Sequence, residues 1–167
     1  MDAALASSAG AEDELKCAAV LAFIQNARWT APLPASVPLT VGVYGRPAFL
    51  HLLSGALEGK SVDGRPLRVI DLKPPVDPHC CQVVYLATDK GPEIKPVLLA
   101  LGPVHVLTVG ESEGFIESGG AVNLFLSDGH MAFEASLDAL DHAGVEISSR
   151  LLRFGVIRDL AKGRRTK

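Results

Sequence analysis

The chain has no excess of positive charge, and this excludes a large class of functions. Its 16 lysine and arginine residues are outnumbered by 19 aspartate and glutamate residues, which gives a formal net charge of −3. Domains that bind nucleic acid normally carry a basic surface, so no nucleic acid is expected as a partner. Four basic residues cluster in residues 162–167, and such a cluster on a chain end is typical of a solvated tail.

Long apolar runs are also lacking. The run at residues 17–24 is far shorter than the roughly 20 residues that a membrane-spanning helix needs. It is preceded by three acidic residues rather than by cations, and no small-residue cleavage site follows it, so it is not a signal peptide. Residues 3–11 are small and polar, like the start of a mature exported protein. We therefore expect that a signal peptide has been removed and that Met1 stands in its place.

Cysteine is scarce and odd in number, with three residues in the whole chain. At least one thiol must therefore stay unpaired within a monomer. Cys80 and Cys81 are adjacent, and neighbouring side chains on a strand point to opposite faces, so they are not expected to bond each other. Two outcomes stay open: a disulfide from Cys17 to Cys80 or Cys81, or buried thiols that act as small apolar side chains.

Motifs of catalysis and cofactor binding are missing. No GxGxxG or GxxxxGK[ST] phosphate-binding loop and no GxSxG nucleophile motif occurs. Cys80 and Cys81 begin an expected strand, where adjacent side chains diverge and where open α/β sheets do not bind ligands. The carboxylates Glu111, Glu113 and Glu117 share one loop, which suits either a cation site or a solvated loop. No catalytic residue, metal or cofactor is expected, and the chain is predicted not to be an enzyme.

What the chain does contain indicates one packed domain. Apolar residues make up 48% and charged residues 21% of its 167 residues, which suffices for one hydrophobic core. We predict a single domain over residues 1–167, with residues 1–11 disordered and residues 160–167 as a basic tail. Strands and helices alternate at first, which predicts right-handed crossovers and a parallel sheet covered on both faces. The expected strands are residues 39–45, 66–72, 80–87 and 104–109, and the expected helices are residues 12–27, 46–57 and 93–101.

In the last third of the chain, strands and helices no longer alternate. Residues 121–126 and 131–135 alternate in polarity and are joined by an Asp-Gly turn, a strong signal for an antiparallel hairpin. Ser136 and Gly144 suit the two ends of the next helix, and a further helix is expected over residues 148–160. The predicted fold class is α/β: a mixed, mostly parallel sheet with helices on both faces and a C-terminal β-hairpin plus helices.

Three short segments suggest a surface for a partner rather than an active site. Trp29 follows the first helix, where it serves either as packing at the edge of the core or as an exposed anchor for a partner. Phe115 and Ile116 lie in a glycine-bearing loop between glutamates, and we predict that they are exposed. Ser149 and Arg150 begin the last helix, a position that suits either ordinary capping or contact with an anion or a partner. These five residues are the predicted partner-binding set.

Several motifs, taken in order, resemble a known family. They are KCAA at residues 16–19, LTVG at 107–110, GGAVNL at 119–124, MAFEA at 131–135 and AGVEISSRLL at 143–152. In this order and spacing the chain resembles the YfiR/HmsC family of bacterial exported regulators, also known by the domain name DUF4154. The resemblance covers residues 14–158, nearly the whole chain.

The resemblance implies a periplasmic α/β repressor, usually a homodimer, with no catalytic activity. Its expected partner is the periplasmic sensor domain of an inner-membrane diguanylate cyclase, which it would hold inactive and so limit cyclic-di-GMP signalling and biofilm formation. An OmpA-like outer-membrane lipoprotein that sequesters the repressor is a further implied partner. Some family members carry structural disulfides, but residues 40–44 and 110–120 contain no cysteine here. Redox sensing is therefore not expected unless Cys17 takes part.

A second hypothesis belongs to a different class of function. The loops at Gly45, Ala87 and Gly110 follow expected parallel strands, and the carboxyl ends of such strands are where open α/β sheets bind ligands. The alternative function is therefore that of a small-ligand-binding or enzymatic α/β domain that uses these loops.

Overall fold

The structure, a computed structural model, describes residues 2–31, 37–73, 81–101, 105–159 and 164–166. Five helices and eleven strands lie within these ranges. In chain order they are α1 (Asp2–Gln25), β1 (Ala27–Trp29), β2 (Leu39–Gly45), α2 (Pro47–Leu57), β3 (Ser61–Val62), β4 (Arg65–Asp71), β5 (Val83–Ala87), α3 (Gly91–Leu101), β6 (Leu107–Gly110), β7 (Val122–Ser127), β8 (His130–Ser136), α4 (Leu137–Ala143), β9 (Val145–Ile147), α5 (Ser149–Leu152), β10 (Val156–Asp159) and β11 (Arg164–Thr166).

Nine of these strands form one mixed sheet in the order β11-β10-β8-β7-β6-β5-β2-β4-β3. The central strands β4, β2, β5, β6 and β7 run parallel to one another. Antiparallel pairs lie toward the edges, where β7 meets β8, β4 meets β3 and β10 meets β11. The predicted mixed, mostly parallel sheet is therefore confirmed.

Helices cover both faces of the sheet, as predicted. On one face α1, α2 and α4 pack over a core that includes Phe23 and Phe49. On the other face α3 packs over a second core that includes Leu86, Ile94 and Phe115. The strands that separate the two cores are apolar on both sides, because both of their faces are buried.

The local signals in the last third of the chain also produce the expected elements. Asp128 and Gly129 both have positive φ angles, 51° and 78°, in the turn that joins β7 to β8. The side chain of Ser136 accepts a hydrogen bond from the backbone N–H of Ala139 at the start of α4. Gly144 ends that helix in the left-handed conformation, with φ 68°.

The first helix is longer than predicted at its start. It begins at Asp2 rather than near residue 12, so residues 2–11, for which disorder is predicted, belong to the helix. Alanine has the highest helix propensity, and five alanines in residues 3–11 allow the helix to extend toward the amino terminus. The helix ends at Gln25, and the next residues form β1 instead of a final helical turn.

The predicted final helix over residues 148–160 is wrong. Only Ser149–Leu152 is helical, and the chain then turns and enters β10, which pairs in parallel with β8. Gly155 lies just after this helix and disfavours its continuation, and a Cβ atom at this position would overlap the ring of Phe133. The β-branched residues that follow it favour a strand. Part of the predicted basic tail, residues 164–166, forms β11 and pairs with β10. Residues 160–163 and 167 lie outside the described residues.

Candidate functional site

A groove of about 610 Å³ lies at the amino-terminal ends of β2 and β4. Its walls come from the end of α1, from β1, from the turn between β3 and β4, and from the segment that joins β9 to α5. The aromatic and charged side chains in these walls are those of Arg28, Trp29, Asp63, Arg65 and Glu146. We refer to this feature as the Trp29 groove.

Backbone pairing of two short strands places Trp29 in the wall of this groove. β1 and β9 form a separate two-stranded antiparallel sheet in which Trp29 lies opposite Val145. Hydrogen bonds from the N–H of Thr30 to the carbonyl of Gly144 and from the N–H of Ser148 to the carbonyl of Asn26 extend this pairing at both ends, each at 2.8 Å. The indole ring is half-buried, and its Nε1 is buried without a hydrogen-bond partner among the described residues. A buried N–H donor without an acceptor is a group that a ligand or partner can satisfy.

The structure brings together two of the five predicted partner-binding residues. Trp29 and Ser149 both line the Trp29 groove. Arg150 is exposed on the next residue of α5 but does not line the groove. Ser148 caps α5, since its Oγ accepts a hydrogen bond from the N–H of Arg150 at 3.3 Å.

The prediction that Phe115 and Ile116 are exposed is wrong. Both side chains are 0% exposed. The ring of Phe115 lies between Gly110 and Gly120, which have no Cβ atoms and so let the ring approach the backbone on both sides. The loop folds back over the second core, and its two apolar residues are buried while Glu113 and Glu117 are exposed. Neither residue is available as a partner surface.

A cluster of charged side chains lies at the opposite end of the sheet, beside the carboxyl ends of β2 and β6. We call it the Arg46 cluster, and it consists of Asp13, Lys16, Arg46, Tyr85 and Glu111. Arg46 donates hydrogen bonds from Nη1 and Nη2 to Asp13, at 2.9 and 3.2 Å, and from Nη2 to both carboxylate oxygens of Glu111, each at 2.9 Å. The hydroxyl of Tyr85 donates to Glu111 Oε1 at 2.7 Å, and Lys16 Nζ lies 3.6 Å from the same oxygen.

Two members of this cluster, Arg46 and Tyr85, have raised pKa values. The hydrogen bond to Asp13, followed by the charge of Glu111, raises the pKa of Arg46, so the guanidinium stays protonated. Burial raises the pKa of Tyr85 well above its usual value of 10.0, and the charge of Glu111 adds to the effect. Tyr85 therefore stays a donor to Glu111 at physiological pH. The arrangement ties α1 to the ends of the strands.

The three carboxylates of the loop between β6 and β7 do not converge. Glu111 belongs to the Arg46 cluster, whereas Glu113 is exposed. Glu117 pairs with Arg158, and although burial opposes its ionisation, hydrogen bonds from its own backbone and from Arg158 lower its pKa. Among the residues that the structure describes, no three histidine, cysteine or acidic side chains meet in a way that could hold a metal ion.

A disulfide between Cys17 and Cys81, one of the outcomes that the sequence left open, is not formed. Cys17 is a free thiol in the core beneath α1, whereas Cys81 belongs to the core on the other face of the sheet. The sheet itself therefore separates the two sulfur atoms. The alternative partner, Cys80, lies outside the described residues.

Cys17 is expected to be inert toward thiol reagents in the folded protein. Burial, followed by the charges of Asp13 and Glu14, raises its pKa from 9.0 to about 11, so the reactive thiolate is scarce at neutral pH. Because the folded pKa is the higher one, the stability that the neutral thiol contributes is complete below pH 9 and is lost as the pH rises to about 11. In a Cys80→Ala, Cys81→Ala variant, a colorimetric thiol assay at pH 7 should label Cys17 only after denaturant is added. Rapid labelling without denaturant would contradict this burial.

The most connected residues of the Arg46 cluster are ones that sequence reasoning missed. Arg46 and Glu111 are 65 positions apart, and no local pattern links them. One signal was available, because each directly follows a glycine that ends a parallel strand. Only β5 separates β2 from β6 in the sheet, and the carboxyl ends of parallel strands lie along one edge, so the proximity of the two side chains was foreseeable.

Comparison with known proteins identifies the family. No curated protein sequence matches the chain. The family model described as YfiR/HmsC-like, DUF4154, matches residues 13–156 of its 167 residues. This family is periplasmic, and its role is the regulation of diguanylate cyclase signalling rather than catalysis. None of the described helices is both long and apolar enough to cross a membrane. The chain belongs to the YfiR/HmsC-like family.

Proposed function

We propose that the protein is a periplasmic repressor that binds the sensor domain of an inner-membrane diguanylate cyclase and holds the enzyme inactive. Repression of the cyclase would limit cyclic-di-GMP synthesis and biofilm formation. The observation that carries this proposal is the family match over residues 13–156. Co-purification of the protein with the periplasmic domain of the cyclase tests it directly. Failure to bind at tens of micromolar would count decisively against it.

The Trp29 groove is the surface that we propose for this partner. Tryptophan and arginine contribute a large share of the binding energy in protein interfaces, and this groove contains Trp29, Arg28 and Arg65. Ser149 lies in the groove and Arg150 on its flank, so both are proposed contacts. The unpaired indole N–H of Trp29 supports a partner that offers a carbonyl or carboxylate oxygen at this point.

Trp29→Ala is expected to weaken binding of the sensor domain about ten- to thirtyfold, because the substitution removes the aromatic side chain from the groove. Trp29→Phe should retain part of the contact area and lose the N–H donor, so an intermediate loss is expected. Binding is measured by isothermal titration calorimetry. Phe154→Ala is the matched control, since Phe154 is 71% exposed and lies outside the groove. Equal affinities for Trp29→Ala and the control would rule out this groove as the binding surface.

A homodimer and an antagonist are further parts of the proposal. We propose that the repressor is a homodimer and that an OmpA-like outer-membrane lipoprotein sequesters it from the cyclase. Light scattering of the purified protein measures its oligomeric state. Competition between the lipoprotein and the sensor domain for the repressor tests the antagonist, and simultaneous binding of both would argue against sequestration.

We propose small-ligand binding as a second candidate, because a specific cavity favours it. A cavity of about 320 Å³ lies between the carboxyl ends of β2 and β5 and is lined by residues that include Arg46, Lys90 and Glu111. The helices that follow these two strands, α2 and α3, pack on opposite faces of the sheet. Such a point in an open α/β sheet commonly binds ligands. A rise in melting temperature with a nucleotide or amino acid would support this candidate, since ligands stabilise the state that they bind.

A further inference from the structure

A second groove, of about 370 Å³, lies at the end of the sheet opposite the Trp29 groove. It is formed by the loop between β6 and β7, by the β7–β8 hairpin and by β10. We call it the acidic groove, because its charged lining residues are Glu111, Glu113, Glu117, Glu134 and Arg158. We propose that the acidic groove binds the guanidinium group of an arginine side chain that a protein partner presents.

The groove keeps an excess of negative charge after its internal ion pairs are formed. Arg46 compensates Glu111 from outside the groove. Glu117 and Glu134 share one cation, Arg158, whose Nη1 contacts Glu117 and lies 3.5 Å from Glu134. Glu113 is exposed and forms no ion pair within the described part of the chain. Three carboxylates therefore face a single guanidinium, and a second cation is favoured electrostatically.

A buried hydroxyl without a partner is a separate indication of a ligand. Ser112 lines the groove and is 4% exposed, yet its Oγ has no hydrogen-bond partner among the described residues. Its backbone is fixed, because the side-chain amide of Asn123 accepts a hydrogen bond from the N–H of Ser112 and donates one to its carbonyl, at 3.1 and 2.9 Å. An unsatisfied buried hydroxyl is costly, and a donor supplied by a ligand removes that cost.

An aromatic ring in the lining favours a planar cation over a compact one. Phe125 lines the groove and is 36% exposed, whereas most other large apolar side chains of the described residues are buried in the core. A guanidinium stacks on aromatic rings and pairs with carboxylates through two parallel hydrogen bonds, which an ammonium cannot do. Arg158 shows that this wall already accommodates a guanidinium between two carboxylates.

This inference goes beyond the proposed function, because it concerns a different surface and a stated ligand chemistry. The two grooves lie at opposite ends of the parallel strands and share no lining residue. Loss of arginine binding would leave the Trp29 groove and its partner untouched. Failure of the sensor domain to bind would in turn leave arginine recognition testable.

The experiment is an NMR titration of the full chain with an acetylated glycine–arginine–glycine amide. The expected result is a saturable shift of the backbone amide signals of Ser112, Glu113 and Phe125. The matched probe contains citrulline, which has the shape of arginine without its charge, and it should cause no such shift. Equal shifts with both probes, or no saturable shift with the arginine probe at about 50 mM, would overturn the proposal.

Two variants tie the binding to the groove itself. Glu113→Gln and Phe125→Leu should each weaken binding of the arginine peptide about threefold, because they remove an exposed charge and the exposed ring. Glu146→Gln removes an exposed carboxylate from the Trp29 groove and should leave binding unchanged. If Glu146→Gln lost as much affinity for the arginine peptide as Glu113→Gln, the effect would come from net charge alone. That result would overturn the assignment of binding to the acidic groove.

Discussion

Phe115→Ala is expected to lower the free energy of unfolding by about 3–5 kcal/mol, the largest effect of any substitution discussed for this chain. The ring is 0% exposed and packs in the second core, so its removal leaves a cavity as well as lost apolar burial. Urea denaturation followed by circular dichroism measures the loss. Phe154→Ala, at a side chain that is 71% exposed, should change stability by less than about 0.5 kcal/mol.

The two glycines beside Phe115 provide a sharper test of the same packing. A Cβ atom at Gly120 would overlap the ring, so Gly120→Ala should be strongly destabilising in the native sequence. In the Phe115→Ala background the obstructing ring is gone, and the same substitution should cost little. This expected non-additivity is the signature of direct contact between the two positions. Additive losses would show that Gly120 is needed for a reason other than space for the ring.

Burial of Phe115 also indicates what the loop between β6 and β7 contributes to function. The ring of Phe115 anchors the loop in the second core, and the side-chain amide of Asn123 holds the backbone of Ser112 through two hydrogen bonds. The glutamates of the loop are therefore presented from a rigid base rather than from a mobile segment. A surface of that kind binds a partner without a large loss of conformational entropy.

Much of the fold follows from local patterns in the sequence. The apolar, β-branched run at residues 39–45 becomes β2 with the same bounds, and the Asp-Gly turn produces the β7–β8 hairpin. Ser136 and Gly144 cap α4 as expected. In each case the determining interactions lie within a few residues of one another, so a pattern of turn, cap or alternation is sufficient to predict the element.

The candidate sites depend on contacts between distant segments, and there the sequence is a weaker guide. β1 and β9 are three residues each, which is too short for a periodic signal. They form only because each supplies backbone hydrogen-bond partners to the other. The exposure of Phe115 was predicted from its glutamate neighbours, whereas its burial depends on the space above Gly110 and Gly120. Trp29 and Ser149 both belong to the predicted partner-binding set, but only the pairing of β1 with β9 brings them into one groove.

Glu111→Gln is expected to lower the free energy of unfolding by about 2–3 kcal/mol. Its side chain is 8% exposed and pairs with both Arg46 and Lys16, so its neutralisation removes one carboxylate partner from each and leaves them only Asp13 and Glu12. Removal of one partner of a fully buried pair costs about 3–5 kcal/mol, and a smaller loss is expected here because the Arg46 side chain is 40% exposed. The measurement is urea denaturation, as above. Glu113→Gln, in the same loop but exposed, is the matched control and should have little effect.

The location of the damage distinguishes a loss of the Arg46 cluster from a general loss of stability. Asp13 and Lys16 attach the middle of α1 to the ends of the strands through Arg46 and Glu111. In Glu111→Gln, amide hydrogen exchange should therefore accelerate in α1 around Asp13 more than in β5, whose pairing is unchanged. An Arg46→Gln, Glu111→Gln double variant should be less unstable than the sum of the single variants, since the two side chains contact each other directly. Uniform acceleration of exchange across the sheet, with additive losses, would show that Glu111 does not act through this cluster.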